Sequence, residues 1–271
     1  MTALLPETRL AELDSFLLEL NRAAAEAILP LFRGEHGLSN KYEIGFDPVT
    51  EADKGAERAI RELIAERYPD HGVIGEEYGE DRADSEFVWV LDPVDGTRAF
   101  IAGLPLWTTL IGLRFQGKPV LGSIGQSYLG EVYIGHAGGS RLVTAQGERP
   151  LRVRPCPRLT GAIIATTDPE ACFSGAELGA WTQVRAAARL ARLGCDAYAY
   201  AMVAAGTMDM VIEAGLKAWD IDAAIPVVAG AGGLTTDWRG EPVGPNGGQI
   251  VIAGDRACLD EALVALRRSA N

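Results

Sequence analysis

The 271-residue chain is poor in the residues that usually carry nucleophilic catalysis. It has three histidines (His36, His71 and His136), none beside a plausible nucleophile, and no Gly-x-Ser-x-Gly. That argues against a Ser-His-Asp or Cys-His hydrolase. The four cysteines (Cys156, Cys172, Cys195 and Cys258) are scattered without CxxC spacing, which predicts reduced thiols in a cytoplasmic protein rather than a disulfide frame or zinc site. Basic charge is also short. Lys and Arg total 25 against 37 Asp and Glu, a formal net charge of −12, which repels a phosphate backbone and argues against nucleic acid as a partner. No apolar run approaches the roughly 18 residues of a membrane span. The N-terminus carries Glu7, Glu12 and Asp14 and lacks a basic-then-apolar opening, so no export signal is read there.

What is present is ordinary globular composition, 48% apolar and 23% charged. The length fits one large domain or two closely packed halves. With histidine and cysteine scarce, carboxylates are expected to do any chemistry. Leu10, Leu13, Phe16, Leu17, Leu20, Ala24 and Ile28 recur at three- and four-residue steps and predict a helix over Thr8–Phe32. Thr50 and Asp53 open a second, Lys54–Arg67. Strands are predicted at Val73–Ile74, Phe87–Leu91, Thr108–Leu113, Val120–Ile124 and Val132–Ile134. The second half alternates: strands at Ala162–Thr166, Met210–Glu213 and Gly248–Ala253, helices at Trp181–Leu193, Ala197–Thr207, Ile221–Ala231 and Ala257–Arg268. Helices against sheets in both halves imply a layered α/β architecture, with the seam at Gly138–Gly139. The expected organisation is one catalytic domain over 1–271, its halves about 1–138 and 139–271.

Three acidic stretches are candidates for chemistry. In Val88-Trp-Val-Leu-Asp92-Pro-Val-Asp95-Gly96-Thr97 a buried apolar strand ends in two acids three apart. Strand ends are where open α/β sheets place ligands, and the Gly-Thr that follows offers free amides to an anion. The same residues also make an ordinary Asp-Pro, Asp-Gly turn. Gly75-Glu76-Glu77 follows another short strand, and is equally at home as solvated surface. Trp219-Asp220 precedes an apolar helix, where Asp220 is either a ligand or an N-cap. Together, Glu76, Asp92, Asp95 and Asp220 with the Val94 carbonyl form a hard-oxygen donor set suited to Mg²⁺. Such acids converging without a cation would repel one another severely. Gly112-Leu-Arg-Phe-Gln-Gly117-Lys118 imitates a phosphate-binding loop, but Pro119 stands where Ser or Thr is needed. It is read as a hairpin turn.

Four blocks in order, Asp47-Pro-Val-Thr50-Glu-Ala-Asp53, Gly75-Glu76-Glu77, Asp92-Pro-Val-Asp95-Gly96-Thr97, and Trp219-Asp220 with Gly230-Ala-Gly-Gly233, resemble the inositol monophosphatase-like family of magnesium-dependent, lithium-sensitive phosphatases. The resemblance spans nearly the whole chain. It implies an α-β-α-β-α sandwich of the inositol monophosphatase/fructose bisphosphatase type and a homodimer. It implies that Glu76, Asp92 and the Val94 carbonyl bind one Mg²⁺, that Asp92, Asp95 and Asp220 bind a second, and that Glu76 shares a third. Mn²⁺ is an alternative and Li⁺ an expected inhibitor. Glu77 and Thr97 would position the attacking water, with Asp47 holding the Thr97 hydroxyl. The Gly96 and Thr97 amides would hold the phosphate, and Glu213 and Asp220 would face the substrate.

Within the family the chain looks most like the histidinol-phosphate phosphatase branch, on Thr97-Arg-Ala-Phe-Ile-Ala-Gly-Leu-Pro-Leu-Trp107, Thr109-Leu-Ile-Gly-Leu113, Gly194-Cys-Asp196-Ala-Tyr198-Ala-Tyr200 and Glu213-Ala-Gly-Leu-Lys217. Thr108, Ala218-Trp219 and Ala229 depart from the branch pattern and leave the metal set intact. Histidinol phosphate carries an amine and an imidazole, which Asp196 and Glu213 would pair with by charge-assisted hydrogen bonds. Asp196 is equally placed to cap the Ala197 helix, and Trp107, Tyr198 and Tyr200 are read as core. The implied activity is hydrolysis of a small phosphomonoester, L-histidinol phosphate, in histidine biosynthesis. Inositol 1-phosphate or another sugar-like phosphate is the alternative. A catalytically silent binding protein is the third reading, and the complete acid set argues against it.

Overall fold

The computed structural model describes residues 5–34, 39–40 and 48–271; Asp47 and His36 lie outside them. The chain runs α1 (Glu7–Ile28), β1 (Ser39–Asn40), β2 (Pro48–Val49), α2 (Glu51–Arg67), β3 (Gly72–Gly75), β4 (Gly79–Asp81), β5 (Phe87–Asp95), α3 (Thr97–Ile101), β6 (Thr108–Phe115), β7 (Lys118–Gln126), β8 (Glu131–His136), β9 (Gly139–Thr144) and β10 (Gly147–Pro150). It continues with β11 (Ile163–Thr166), α4 (Pro169–Cys172), α5 (Gly175–Ala187), β12 (Leu190–Leu193), α6 (Tyr198–Ala204), β13 (Met210–Leu216), α7 (Ala218–Ile221), α8 (Ala224–Gly230), β14 (Leu234–Thr236), β15 (Gly248–Ala253) and α9 (Arg256–Leu266).

The larger sheet has strand order β10-β9-β8-β7-β6-β5-β3-β4, and the smaller β12-β11-β13-β15-β14. Period-two alternation splits each strand between two cores. In β6, Ile111 and Leu113 face the core shared with α1 and α2, while Leu110 faces the core shared with α6 and α8. In β15, Ile250 and Ile252 face that same middle core, and Val251 and Ala253 pack under α5 and α9. Helices α6, α7 and α8 therefore lie between the sheets, with α1 and α2 outside one and α5 and α9 outside the other. This is the expected α-β-α-β-α sandwich.

A row of glycines sets the spacing of the middle layer. Gly112, Gly122 and Gly135 are cross-strand partners on β6, β7 and β8. A Cβ at Gly122 would stand 2.2 Å from the Ala223 carbonyl oxygen, and one at Gly135 would stand 2.3 Å from Val227 Cα. The absence of side chains lets the backbone of the α7–α8 segment rest directly on the sheet.

Most expected elements are present, and the Gln116-Gly117 turn between β6 and β7, both residues with positive φ, is a hairpin as read. Three readings change. The helix expected over Trp181–Leu193 ends at Ala187, and Leu190–Leu193 is instead a strand parallel to β11; pairing with β11 outweighs the helix propensity of its Ala, Arg and Leu. The helix expected over Ile221–Ala231 is two pieces, because Pro226 lacks an N–H and fits only the first turn of a new helix. Gly139 starts β9 of the larger sheet, so the chain leaves that sheet after Pro150 rather than at Gly138–Gly139.

Candidate active site

The acidic pair on β5 owes its geometry to a bulge. Residues three apart on a regular strand face opposite sides of the sheet. Here Asp92 pairs with Leu110 and Asp95 with Thr108, so two residues of β5 oppose only Thr109. The extra residue restores both aspartates to the inner face, while Val94 goes to the outer core. Pro93 sits in the bulge, where a missing N–H costs no ladder bond, and its carbonyl accepts from the Thr109 hydroxyl at 2.8 Å.

Asp220 arrives from the middle layer, in the first turn of α7, where its carboxylate accepts the Lys217 amide at 2.6 Å. It is thus both a helix-start acid and a partner of the β5 pair. One carboxylate oxygen from each of Asp92, Asp95 and Asp220 lies within 4.8 Å of the others. Asp92 is buried, and its Oδ1 has no hydrogen-bond partner among the described residues. Burial, then the charges of Glu76, Asp95 and Asp220, push the Asp92 carboxyl well above the usual carboxylate range. Burial, then Asp196 and Asp220, do the same to Asp95. An orphaned buried oxygen and mutually repelling acids fit a hard divalent cation.

Glu76 is the strongest of the charges acting on Asp92, without joining the closest group of oxygens. Its amide donates to Leu91 O at 3.2 Å, fixing the β3 turn against β5. That turn is held by a residue the sequence reading passed over. The buried carboxylate of Glu57 on α2 accepts from the Glu77 amide at 2.8 Å and the Tyr78 amide at 3.2 Å, and takes Arg61 Nε at 2.7 Å. A Cβ on Gly75 would fall 2.0 Å from Glu57 Oε1. The demand for glycine before the two acids was the available signal.

Gly96 has φ +82 and starts α3. The Thr97 hydroxyl donates to the Val94 carbonyl at 3.2 Å, so these two expected site atoms meet one another. Asp47, expected to hold Thr97, lies outside the described residues. Asp196 adopts φ +45 and lies over Gly96, where a Cβ would approach its Cγ to 3.1 Å. It does not cap α6, whose N-cap is Ala197 with no side-chain bond. Burial raises the Asp196 carboxyl to about 6, against the pull of Arg98. Glu213, on β13, is buried and accepts from Thr166 Oγ1 at 3.1 Å, the Thr167 amide at 2.8 Å and Thr167 Oγ1 at 2.9 Å. Burial pushes it up to about 8 despite these donors. Trp107 belongs to the outer core with Phe32 and Phe100. Tyr198 donates to Glu131 at 2.8 Å, and Tyr200 is in the middle core, where burial, then the charges of Glu213, Asp95 and Asp220, push its hydroxyl well above the ordinary tyrosine value.

Residues 9–271 match the sequence profile of the inositol monophosphatase family. A chloroplastic bifunctional phosphatase of Arabidopsis thaliana is 40% identical over 270 residues, covering 94% of this chain and 76% of the relative. A histidinol-phosphatase of Chlorobaculum parvum is 33% identical, covering 88% and 90%. The structure of an inositol monophosphatase from Zymomonas mobilis superposes with a TM-score of 0.84 at 36% identity, covering 95% of this chain and 98% of that one. The chain belongs to the inositol monophosphatase family of metal-dependent phosphatases. No helix among the described residues is long and apolar enough to cross a membrane.

Proposed function

We propose that the chain is a Mg²⁺-dependent phosphomonoesterase that hydrolyses L-histidinol phosphate to L-histidinol and phosphate, as a cytoplasmic homodimer serving histidine biosynthesis. The observation that carries the reaction class is the convergence of the carboxylates of Asp92, Asp95 and Asp220, with Asp92 holding a buried oxygen that has no partner among the described residues. These three acids, with Glu76 and the Val94 carbonyl, would hold two or three cations. Bound there, Mg²⁺ supplies an acidified water and neutralises the charge developing on the phosphoryl group. The chain's own part is orientation. Glu77, whose amide is held by Glu57, and Thr97 would take the attacking water, with Asp47 as the support of Thr97. The Gly96 and Thr97 amides, at the turn into α3, face the phosphate oxygens.

Support for histidinol phosphate comes from the branch-like segments and from two further acids, half-buried Asp196, whose charge acts on Asp95, and buried Glu213, on which the charge of Asp196 acts in turn. They would receive the amine and imidazole of the substrate, and Asp220 completes that wall. The 33% identity to a histidinol-phosphatase agrees. The likeness to an inositol monophosphatase structure keeps inositol 1-phosphate as a second reading. Phosphate release from a panel of monophosphates, with Mg²⁺, Mn²⁺, Li⁺ or EDTA, tests both parts. Activity unaffected by EDTA would overturn the metal assignment. A kcat/KM favouring inositol 1-phosphate would overturn the substrate, and light scattering checks the dimer.

A further inference from the structure

Asp220 is carried by a helix of one turn, which has almost no stability of its own. What fixes this acid must lie outside α7. The C-cap of α7 is Asp222, a buried acid whose carboxylate receives Nε of Arg114 from the inner face of β6. The same guanidinium reaches across to the Pro245 carbonyl through Nη2 at 2.7 Å. Two residues on, Gly247 presses on the other end of α7: a Cβ there would stand 2.4 Å from Leu216 O and 2.7 Å from Lys217 C. Beneath the helix, Gly112 leaves room for Asp222 itself, since a Cβ would come within 3.0 Å of the Asp222 Cβ and the Ala223 amide. One arginine thus joins the sheet, the exit of α7, and the turn that abuts its entrance.

The Arg114–Asp222 pair is largely shielded, with side-chain exposures of 12% and 5%. Buried ion pairs stabilise poorly, because desolvation offsets much of the attraction, and apolar replacements of both partners are often neutral. A gain in stability is therefore a weak reason for this pair to exist, whereas its geometry bears directly on Asp220. We infer that Arg114 is a positioning residue: through Asp222 and Pro245 it sets where α7 presents Asp220 to Asp92 and Asp95, and so sets the affinity of the site for its divalent cation. The inference rests on reading Asp220 as a cation ligand.

Calorimetric titration of Mn²⁺ into EDTA-treated, dialysed protein tests it without recourse to turnover. Supports around metal ligands typically contribute 10–100-fold in metal affinity. Arg114→Met should weaken Mn²⁺ binding by about 10–100-fold. It should raise the metal concentration for half-maximal activity similarly, leaving the substrate KM at saturating metal within about twofold. Arg114→Lys, which keeps the charge but not the second hydrogen bond, should fall between Arg114→Met and the natural chain. Asp220→Asn separates the two assumptions. If it binds Mn²⁺ like the natural chain, the ligand reading fails, whatever Arg114 does. If it loses Mn²⁺ while both folded Arg114 variants bind within about twofold of the natural chain, the positioning role is overturned. Should Arg114→Met not fold, because Asp222 is left buried and unpaired, the pair Arg114→Met with Asp222→Leu removes both charges. That variant is expected to fold with weakened Mn²⁺ binding, and natural affinity in it, or in folded Arg114→Lys if it too fails to fold, would overturn the inference.

Discussion

The Ala197 amide donates to Asp95 Oδ2 at 2.7 Å, tying the start of α6 to the end of β5 across 102 residues of chain. Its neighbour Asp92 has a buried Oδ1 without any such partner among the described residues. The two acids should therefore answer differently to substitution in EDTA. Asp92→Asn replaces a carboxyl that, without metal, must either repel Glu76, Asp95, Asp220 and Asp53 or take up a proton to be buried beside them, and should raise the metal-free Tm by a few degrees. Asp95→Ala also relieves repulsion but orphans the Ala197 amide, which costs about 1–3 kcal/mol, and should lower the Tm or leave it flat. Both should lose activity by roughly 10²–10⁴-fold, the worth of several kcal/mol of metal-derived stabilisation. Differential scanning fluorimetry beside a phosphate-release assay checks the pair, and an unchanged metal-free Tm for Asp92→Asn would sink the repulsion argument.

Metal removal should be visible in stability as well as in turnover. A ligand that binds only the folded chain stabilises it by about 2.7 kcal/mol at a hundred times its Kd. For a chain of this size that is roughly 5–10 °C in Tm. Adding Mg²⁺ to EDTA-treated protein should give such a shift, and the same addition to Asp92→Asn should give little or none. Equal shifts in both proteins would place the Mg²⁺ elsewhere.

How far the sequence foretold this site depended on whether the signal was local. Thr50 and Asp53 announced the start of α2 because a capping box lies within one turn, and both of its hydrogen bonds are present. The β5 acids were visible as an apolar strand ending in charge. Their shared orientation was not, since it needs the bulge at Pro93 and the register with β6. Strand β12 was hidden because its Ala-Arg-Leu composition favours helix, and only β11, far off in sequence, supplies the edge it pairs with. Glu57 and Arg114 were missed for a related reason: each is a charged residue in a regular element, and its role appears only with a partner 20 or 108 residues away.

His71 should make the fold sensitive to mild acid. The ring is stacked between Tyr68 at 4.6 Å and Phe87 at 4.7 Å, and its Nδ1 accepts from Trp89 Nε1 at 3.1 Å. Burial, aided by Arg9, lowers it from 6.5 to about 4. The unfolded chain therefore takes up a proton that the folded chain refuses. The stabilisation is complete above pH 6.5 and is lost as pH falls towards 4. From pH 7 to pH 5 the loss amounts to about 2 kcal/mol. Urea midpoints measured at several pH values should fall more steeply for the natural chain than for His71→Phe, and parallel curves would show that His71 titrates normally.

Glu213 should govern how substrate binding depends on pH. With its carboxyl raised to about 8, it is mostly neutral at pH 7 and gains its charge above that value. If it pairs with a cationic group of the substrate, the KM for histidinol phosphate should fall between pH 7 and 9. Glu213→Gln should abolish that fall at little cost in stability, because its amide oxygen still accepts from the Thr167 amide and hydroxyl, and its amide nitrogen can donate to the Thr166 hydroxyl oxygen, which turns its proton elsewhere. The same slope in both proteins would remove Glu213 from the substrate wall.

The glycine row makes a sharper claim about geometry than about stability alone. A methyl group on Gly122 would meet the Ala223 carbonyl oxygen at 2.2 Å and its Cα at 2.8 Å, so the α7–α8 backbone must lift from the sheet. Overpacking of this kind costs about 1–3 kcal/mol. Because α7 carries Asp220, the displacement should also weaken Mn²⁺ binding, by more than lowered stability explains at a temperature where the variant is fully folded. Gly179 offers the matched control. It lies inside α5 with nothing within 4 Å of where a methyl group would stand, so Gly179→Ala should stabilise by about 0.5–1 kcal/mol and leave Mn²⁺ affinity alone. Thermal unfolding and Mn²⁺ titration of the two variants side by side separate the cases. A Gly122→Ala protein that is destabilised but binds Mn²⁺ normally would mean that the helix can ride up from the sheet without carrying Asp220 away from β5.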